Sequence, residues 1–245
     1  MEDVQSLVWD PDDLRAIGRC RVGDCDVRLS SDAIGRFQRE IDWSSPQRDQ
    51  QAMQLGRRLL VELATAYLRD GDSALEGYDD RPRSVSPLRV FRALVDESPS
   101  PMNLAPEFRG YLVGFPHAPL PHTSNFLYWS KEKIGLRSVV TVTHVAMYEP
   151  ASPVAAIIGS RQIYASRYFD ASLGVTAMVD ATTRGGGEAF DLIYLNRSRT
   201  DELEGLWGPF KRTIVRSRAR AAMNKYLKLL KTRLEGESQA SETPQ

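Results

Sequence analysis

After Gly135 the apolar residues of this chain stop recurring every three or four positions and begin to alternate. That change of period limits the fold to helices followed by a sheet. The stretch "LRSVVTVTHVAMYEP" (136–150) alternates valine and threonine for a full strand, and Pro150 and Pro153 mark a turn. "VAAIIGSRQIYASRYF" (154–169) is a second strand and "SLGVTAMVD" (172–180) a third. "ATTRGGGEA" is a loop, and "FDLIYLNRSR" (190–199) is the fourth strand. Connections this short cannot carry the crossovers that parallel strands need, so the four strands read as an antiparallel meander.

The first half has the helical period. "SSDAIGRFQREIDW" offers Ser and Asp as an N-cap ahead of Ile34, Phe37 and Ile41. Pro46 opens a longer helix with Met53, Leu60, Leu63, Ala64 and Tyr67 on one face, closed by Gly71. "SPLRVFRALVDESP" turns Leu88, Phe91, Leu94 and Val95 inward and stops before Pro99, and "APEFRGYLVGFP" adds a short fourth helix. The proline-rich "PHAPLPHTSNFLYWS" reads as a loop or extended connector. A final helix over 213–235 places Val215, Ala219, Ala222, Met223, Tyr226, Leu227, Leu230 and Leu234 on one side and a stripe of Arg and Lys on the other. The chain is thus α+β. Residues 1–29 form an N-terminal segment with a cysteine pair. Residues 30–236 form one domain, helical over 30–130 and sheet plus C-terminal helix over 136–235, and 237–245 form a disordered polar tail.

Composition removes several function classes. Formal net charge is zero, which gives no bulk attraction to nucleic acid, and the basic stripe lacks interleaved aromatics. It leaves peripheral contact with an anionic membrane through the last helix open. The longest apolar run, "VAAII", is too short for a transmembrane segment. The N-terminus is acidic where a signal peptide is basic, so as written the chain reads as cytoplasmic, and as periplasmic or exported if a longer N-terminus precedes it. Cys20 and Cys25 fit a small disulfide loop or idle thiols. A metal site is disfavoured because His117, His122 and His144 supply no tight partner pair, and nothing implies a cofactor.

The segment "LEGLWGPFKRTIVRSRARAAMNKYLKLLKTRLE" resembles the closing part of bacterial START-like lipid-binding proteins. In that helix-grip fold a curved sheet wraps the last helix and leaves a cavity between them. Along nearly the whole chain, "CRVGDCDVRL", "FLYWSKEKIGL", "QIYASRYF" and "YLNRSR" also resemble a bacterial family whose motifs have no assigned role. That resemblance implies an export signal and a further segment ahead of the cysteine motif. One departure is that residues 1–20 supply neither the strand nor the helix that normally opens a helix-grip domain.

The strands carry more polar groups than a one-sided sheet needs. Regular alternation groups Gln162, Tyr164, Ser166 and Tyr168 on one face, and Arg161, Ile163, Ala165 and Arg167 on the other. His144 sits among valines, and Tyr194 and Asn196 share a face with Leu192. Each of these has a plain structural reading as a satisfied core group. Together they suggest a partly polar cavity lined by His144, Tyr164, Tyr168, Tyr194 and Asn196, with Arg216 at its mouth as an anion clamp or the partner of a local acid. No nucleophile elbow is present and no carboxylate falls beside His144, so no catalytic residue is assigned. The expected function is binding of an apolar small molecule or lipid, without catalysis, in a cavity between the sheet and the C-terminal helix. The alternatives are a cyclase or hydratase using His144, or a protein-interaction module.

Overall fold

The computed structural model describes residues 2–134, 137–150, 154–181 and 190–200. They form an α+β unit in which a helical layer packs on one face of a five-stranded antiparallel sheet. The expected C-terminal helix and Arg216 lie outside the described residues.

The helices are α1 (Pro11–Arg19), α2 (Ser31–Glu40), α3 (Arg48–Asp70), α4 (Pro87–Asp96), α5 (Pro99–Met102) and α6 (Pro106–Gly114). Ser30 caps α2, its hydroxyl accepting the Ala33 N–H at 3.2 Å, and Ser86 does the same for α4 with Arg89. Helix α3 buries Ala52, Leu55, Leu60, Ala64 and Tyr67. It ends at Gly71 (φ 59°), where a Cβ would stand 2.0 Å from the Phe115 carbonyl oxygen, so only glycine fits. Helix α1 departs from the expectation that residues 1–20 supply no helix. Pro11 opens it, Asp12 and Asp13 fill its first turn and Arg19 its last, and it buries Leu14 and Ile17. Those two join Leu7 and Trp9 in the same core as α3 and the sheet.

The strands run in order β1 (Thr123–Ile134), β2 (Arg137–Tyr148), β3 (Val154–Ala165), β4 (Phe169–Asp180) and β5 (Phe190–Thr200). The sheet has five strands and not four, because most of the presumed connector is β1. Its pattern is hard to read because the face toward the helices mixes Leu127 and Trp129 with polar groups that find partners there. Asn125 donates to the Tyr111 hydroxyl, and Lys131 pairs with Asp10 at 2.6 Å. The opposite face of β1 bears Phe126 and Tyr128, so hydrophobicity does not mark the inner side.

Strand β3 is shorter than its sequence suggests and is not regular. The register passes from Val142↔Tyr164 to Thr143↔Gln162, leaving Ile163 as an extra residue in a bulge. The bulge overturns the simple alternation drawn from the sequence. Arg161, paired with His144, and Tyr164, paired with Val142, both reach the helical side. β3 ends at Ala165, and Ser166–Tyr168 form the hairpin, with Tyr168 at φ 64°. Tyr168 therefore does not share a strand face with Tyr164.

Candidate functional site

Three arginines are buried between sheet and helices, and each meets an aspartate. Arg161 lies 2.5 Å from Asp72, Arg28 lies 2.6 Å from Asp170, and Arg167 lies 2.5 Å from Asp13. Desolvating such a charge costs several kcal/mol unless it is paired, so these contacts explain why a strand-rich segment keeps its arginines. Arg161 also lies over Phe91, its guanidinium carbon 4.1 Å from the ring centroid, and over Tyr67 at 5.7 Å.

His144 belongs to this buried polar layer. Its Nδ1 is 2.9 Å from the Tyr67 hydroxyl, and the Phe115 ring lies against the imidazole with centroids 4.3 Å apart. Burial first, and the Arg161 charge second, push its pKa down to about 4, so the ring is neutral at pH 7. Burial likewise pushes the Tyr67 phenol up to about 12. A neutral histidine held by a neutral phenol, with aromatic rings around it, is a packed core group.

The other candidates disperse. Tyr164 is buried, its hydroxyl donating to the Arg28 carbonyl at 3.2 Å, and burial followed by Tyr78 raises its pKa. Tyr168 stands at the hairpin, where its carbonyl accepts from Arg28. Tyr194 accepts from the Asn196 side chain at 3.3 Å on β5. Asn196 lies near Gly174, whose register partner Ser160 faces away from the helices. The structure brings His144 and Tyr164 to the helical side and leaves Tyr194 and Asn196 on the other.

Cys20 and Cys25 form a disulfide, joining the end of α1 to a turn in which Gly23 has φ 84°. Beyond it, residues 26–29 hold the third strand and its hairpin: Asp26 O accepts from Arg167, and Arg28 N donates to Ser166 O at 2.9 Å. A surface pocket of about 380 Å³ beside the disulfide is lined by Asp12, Arg15, Arg19, Asp24, Asp26 and Arg137. Within it, Asp12 pairs with both Arg15 and Arg137.

A cavity of about 240 Å³ lies between α2, α3, the segment Ala74–Tyr78 and β3. Its inner wall is formed by Phe37, Leu60, Leu63, Tyr78, Ile163 and Tyr164, and Trp9 stands over Gly56 at one side. The bulge at Ile163 is what lets two successive residues of β3 contribute. The rim is charged, with Asp32, Arg36, Glu62 and Glu76. Arg36 is held there by Glu62 and by Glu40 at 2.9 Å, which fixes α2 to α3 across the opening. Of the site candidates picked out by sequence that lie among the described residues, Tyr164 alone reaches this cavity. Trp9, Tyr78 and Ile163 escape a sequence reading because a loop tryptophan, a loop tyrosine and a strand bulge leave no periodic signal.

Among the described residues no group of His, Cys, Asp and Glu could hold a metal ion, and no helix is long and apolar enough to cross a membrane. No family model matches the chain, and neither do any curated proteins or solved structures.

Proposed function

We propose that the protein binds a small apolar molecule, without catalysis, in the cavity between α2, α3 and β3. The observation that carries this is the largely apolar inner wall around about 240 Å³ of space between α2, α3, Ala74–Tyr78 and β3. Ligand sites commonly measure about 300–1,000 Å³, and an apolar cavity of about 150 Å³ takes up benzene. The occupant is thus a compact one- or two-ring molecule and not a whole lipid.

The enzyme alternative is less well supported, because His144 stands outside the residues that line this cavity and is neutral above about pH 4. A helix-grip fold stays part of the proposal, since helices ahead of an antiparallel meander are an element order that such a fold uses. The Cys20–Cys25 disulfide supports the exported alternative over the cytoplasmic one.

Titration of isotope-labelled protein with naphthalene, followed by amide NMR, tests the site. Saturable shifts should centre on α3 around Leu60 and Leu63 and on Leu75–Tyr78. They should vanish in Ala33→Trp, which fills the opening. Shifts scattered over the surface, or unchanged by Ala33→Trp, would refute the reading.

A further inference from the structure

We propose that the Cys20–Cys25 disulfide is a thiol–disulfide exchange centre, and that the surface pocket beside it seats the thiol that reduces it. That thiol belongs to the class of cysteine and its short peptides, small molecules that carry an ammonium and carboxylates together. The site is separate from the cavity between α2, α3 and β3.

Access comes first. Both cysteines line a pocket of about 380 Å³. Cys20 is buried, at 2% exposure, whereas Cys25 is partly exposed. A thiolate entering the pocket therefore meets the Cys25 Sγ and expels Cys20.

The dithiol also has a place in the fold. Cys20 Sγ lies 3.3 Å from the Ala16 carbonyl oxygen, an acceptor ready for the S–H that reduction creates. The turn is held without the sulfurs. Arg21 and Asp24 exchange both backbone hydrogen bonds at 2.9 Å, Gly23 N donates to Asp79 O at 2.7 Å, and Cys25 N donates to Asp80 O at 2.9 Å. A bridge across so short a loop removes less chain entropy than one across a long loop. Both sulfurs thus stay near one another when the bond opens, and it can close again.

Charge selects the thiol. The lining carries Asp12, Asp24 and Asp26 together with Arg15, Arg19 and Arg137. Asp12 is engaged by Arg15 and Arg137, while Arg19, Asp24 and Asp26 make no ion pair among the described residues. A ligand of one charge sign meets its like there as well as its opposite. One that carries both signs finds a counter-charge for each.

The reaction balances with two thiols. The first, as RS⁻, attacks Cys25 Sγ and forms a mixed disulfide, while Cys20 leaves as a thiolate and takes a proton from water. A second RS⁻ attacks the ligand sulfur of the mixed disulfide, forms RSSR and releases Cys25 as a thiolate. The bridge gains two electrons and the two thiols lose them.

The test measures reduction of the oxidised whole chain by glutathione, cysteamine, 3-mercaptopropionate and 2-mercaptoethanol, which are zwitterionic, cationic, anionic and uncharged. Each rate is divided by that of the same thiol on the isolated disulfide peptide CRVGDC, which removes differences in intrinsic reactivity. Glutathione should lead the others by about threefold or more and saturate with concentration, as contacts to surface charges allow. Peptide mapping after an acid quench should find its adduct on Cys25. Arg19→Gln should slow glutathione about two- to fivefold, the span of one such contact, and leave 2-mercaptoethanol unchanged. Asp24→Asn tests the ammonium end in the same way and decides if the Arg19 variant does not fold. The same ranking on protein and peptide, an adduct on Cys20, or equal slowing of all four thiols by Arg19→Gln would each overturn the inference. So would a bridge that resists reduction until denaturant is added.

Discussion

Acidification between about pH 6.5 and 4.5 should destabilise this protein chiefly through His144. His144 is 1% exposed, and its imidazole is held near pKa 4 by burial and by the Arg161 charge. In the unfolded chain it titrates at about 6.5. Between those values the unfolded state binds a proton that the folded state refuses, so stability falls as pH falls. The contribution is present in full above about pH 6.5 and lost by about pH 4. A depression of about 2.5 units at about 1.4 kcal/mol each gives a loss of roughly 3 kcal/mol across the window. Denaturant unfolding at pH 7, 6, 5 and 4.5 measures it, and His144→Gln separates it from the carboxylates that also titrate at the acid end. Glutamine can still meet the Tyr67 hydroxyl but cannot titrate, so the variant should lose most of the slope between pH 6.5 and 4.5. A slope unchanged by His144→Gln would refute the reasoning, as would an NMR-measured His144 pKa near 6.5.

The buried pair Arg161–Asp72 should be worth more when broken than when replaced: Asp72→Asn alone is expected to cost about 3–5 kcal/mol in denaturation, because it strands a buried guanidinium. Tyr164→Phe should cost about 1–3 kcal/mol by leaving the Arg28 carbonyl unsatisfied, while Tyr168→Phe at the partly exposed hairpin should cost little, and equal effects would contradict a buried Tyr164 and a hairpin Tyr168. Reducing the Cys20–Cys25 bridge, which closes a loop with a sequence separation of 5, should lower stability by about 2 kcal/mol on the loop-entropy relation, read as a shift in the denaturant midpoint. Gly71→Ala should cost more than the roughly 1–3 kcal/mol of its backbone conformation alone, since the added Cβ also meets the Phe115 carbonyl.

The parts of the fold that are legible in the sequence are those with a clean period. Helices α2, α3 and α4 announce themselves by Ser30 and Ser86 as caps and by apolar faces that are indeed buried. β2 is legible from its run of β-branched Val and Thr, although residues on both of its faces are buried. β1 is not legible, because its inner face satisfies Asn125 and Lys131 through partners far away in the chain, Tyr111 and Asp10. The site is less legible still. Which residues share a face of β3 depends on one extra residue, Ile163, and a register shift leaves no mark in a single sequence. Strand arginines read as solvent-seeking, yet Arg161 and Arg167 are buried because Asp72 and Asp13 come to them from the helical half. Pairings over such separations are decided by tertiary packing, not by local pattern.

A crystal structure of the protein with naphthalene tests the central claim most directly. The ring system should lie between α2, α3 and β3, against Leu60, Leu63 and Ile163. Density for the ligand at another place, or side chains packed solidly through the space between Phe37, Tyr78 and Tyr164, would contradict it.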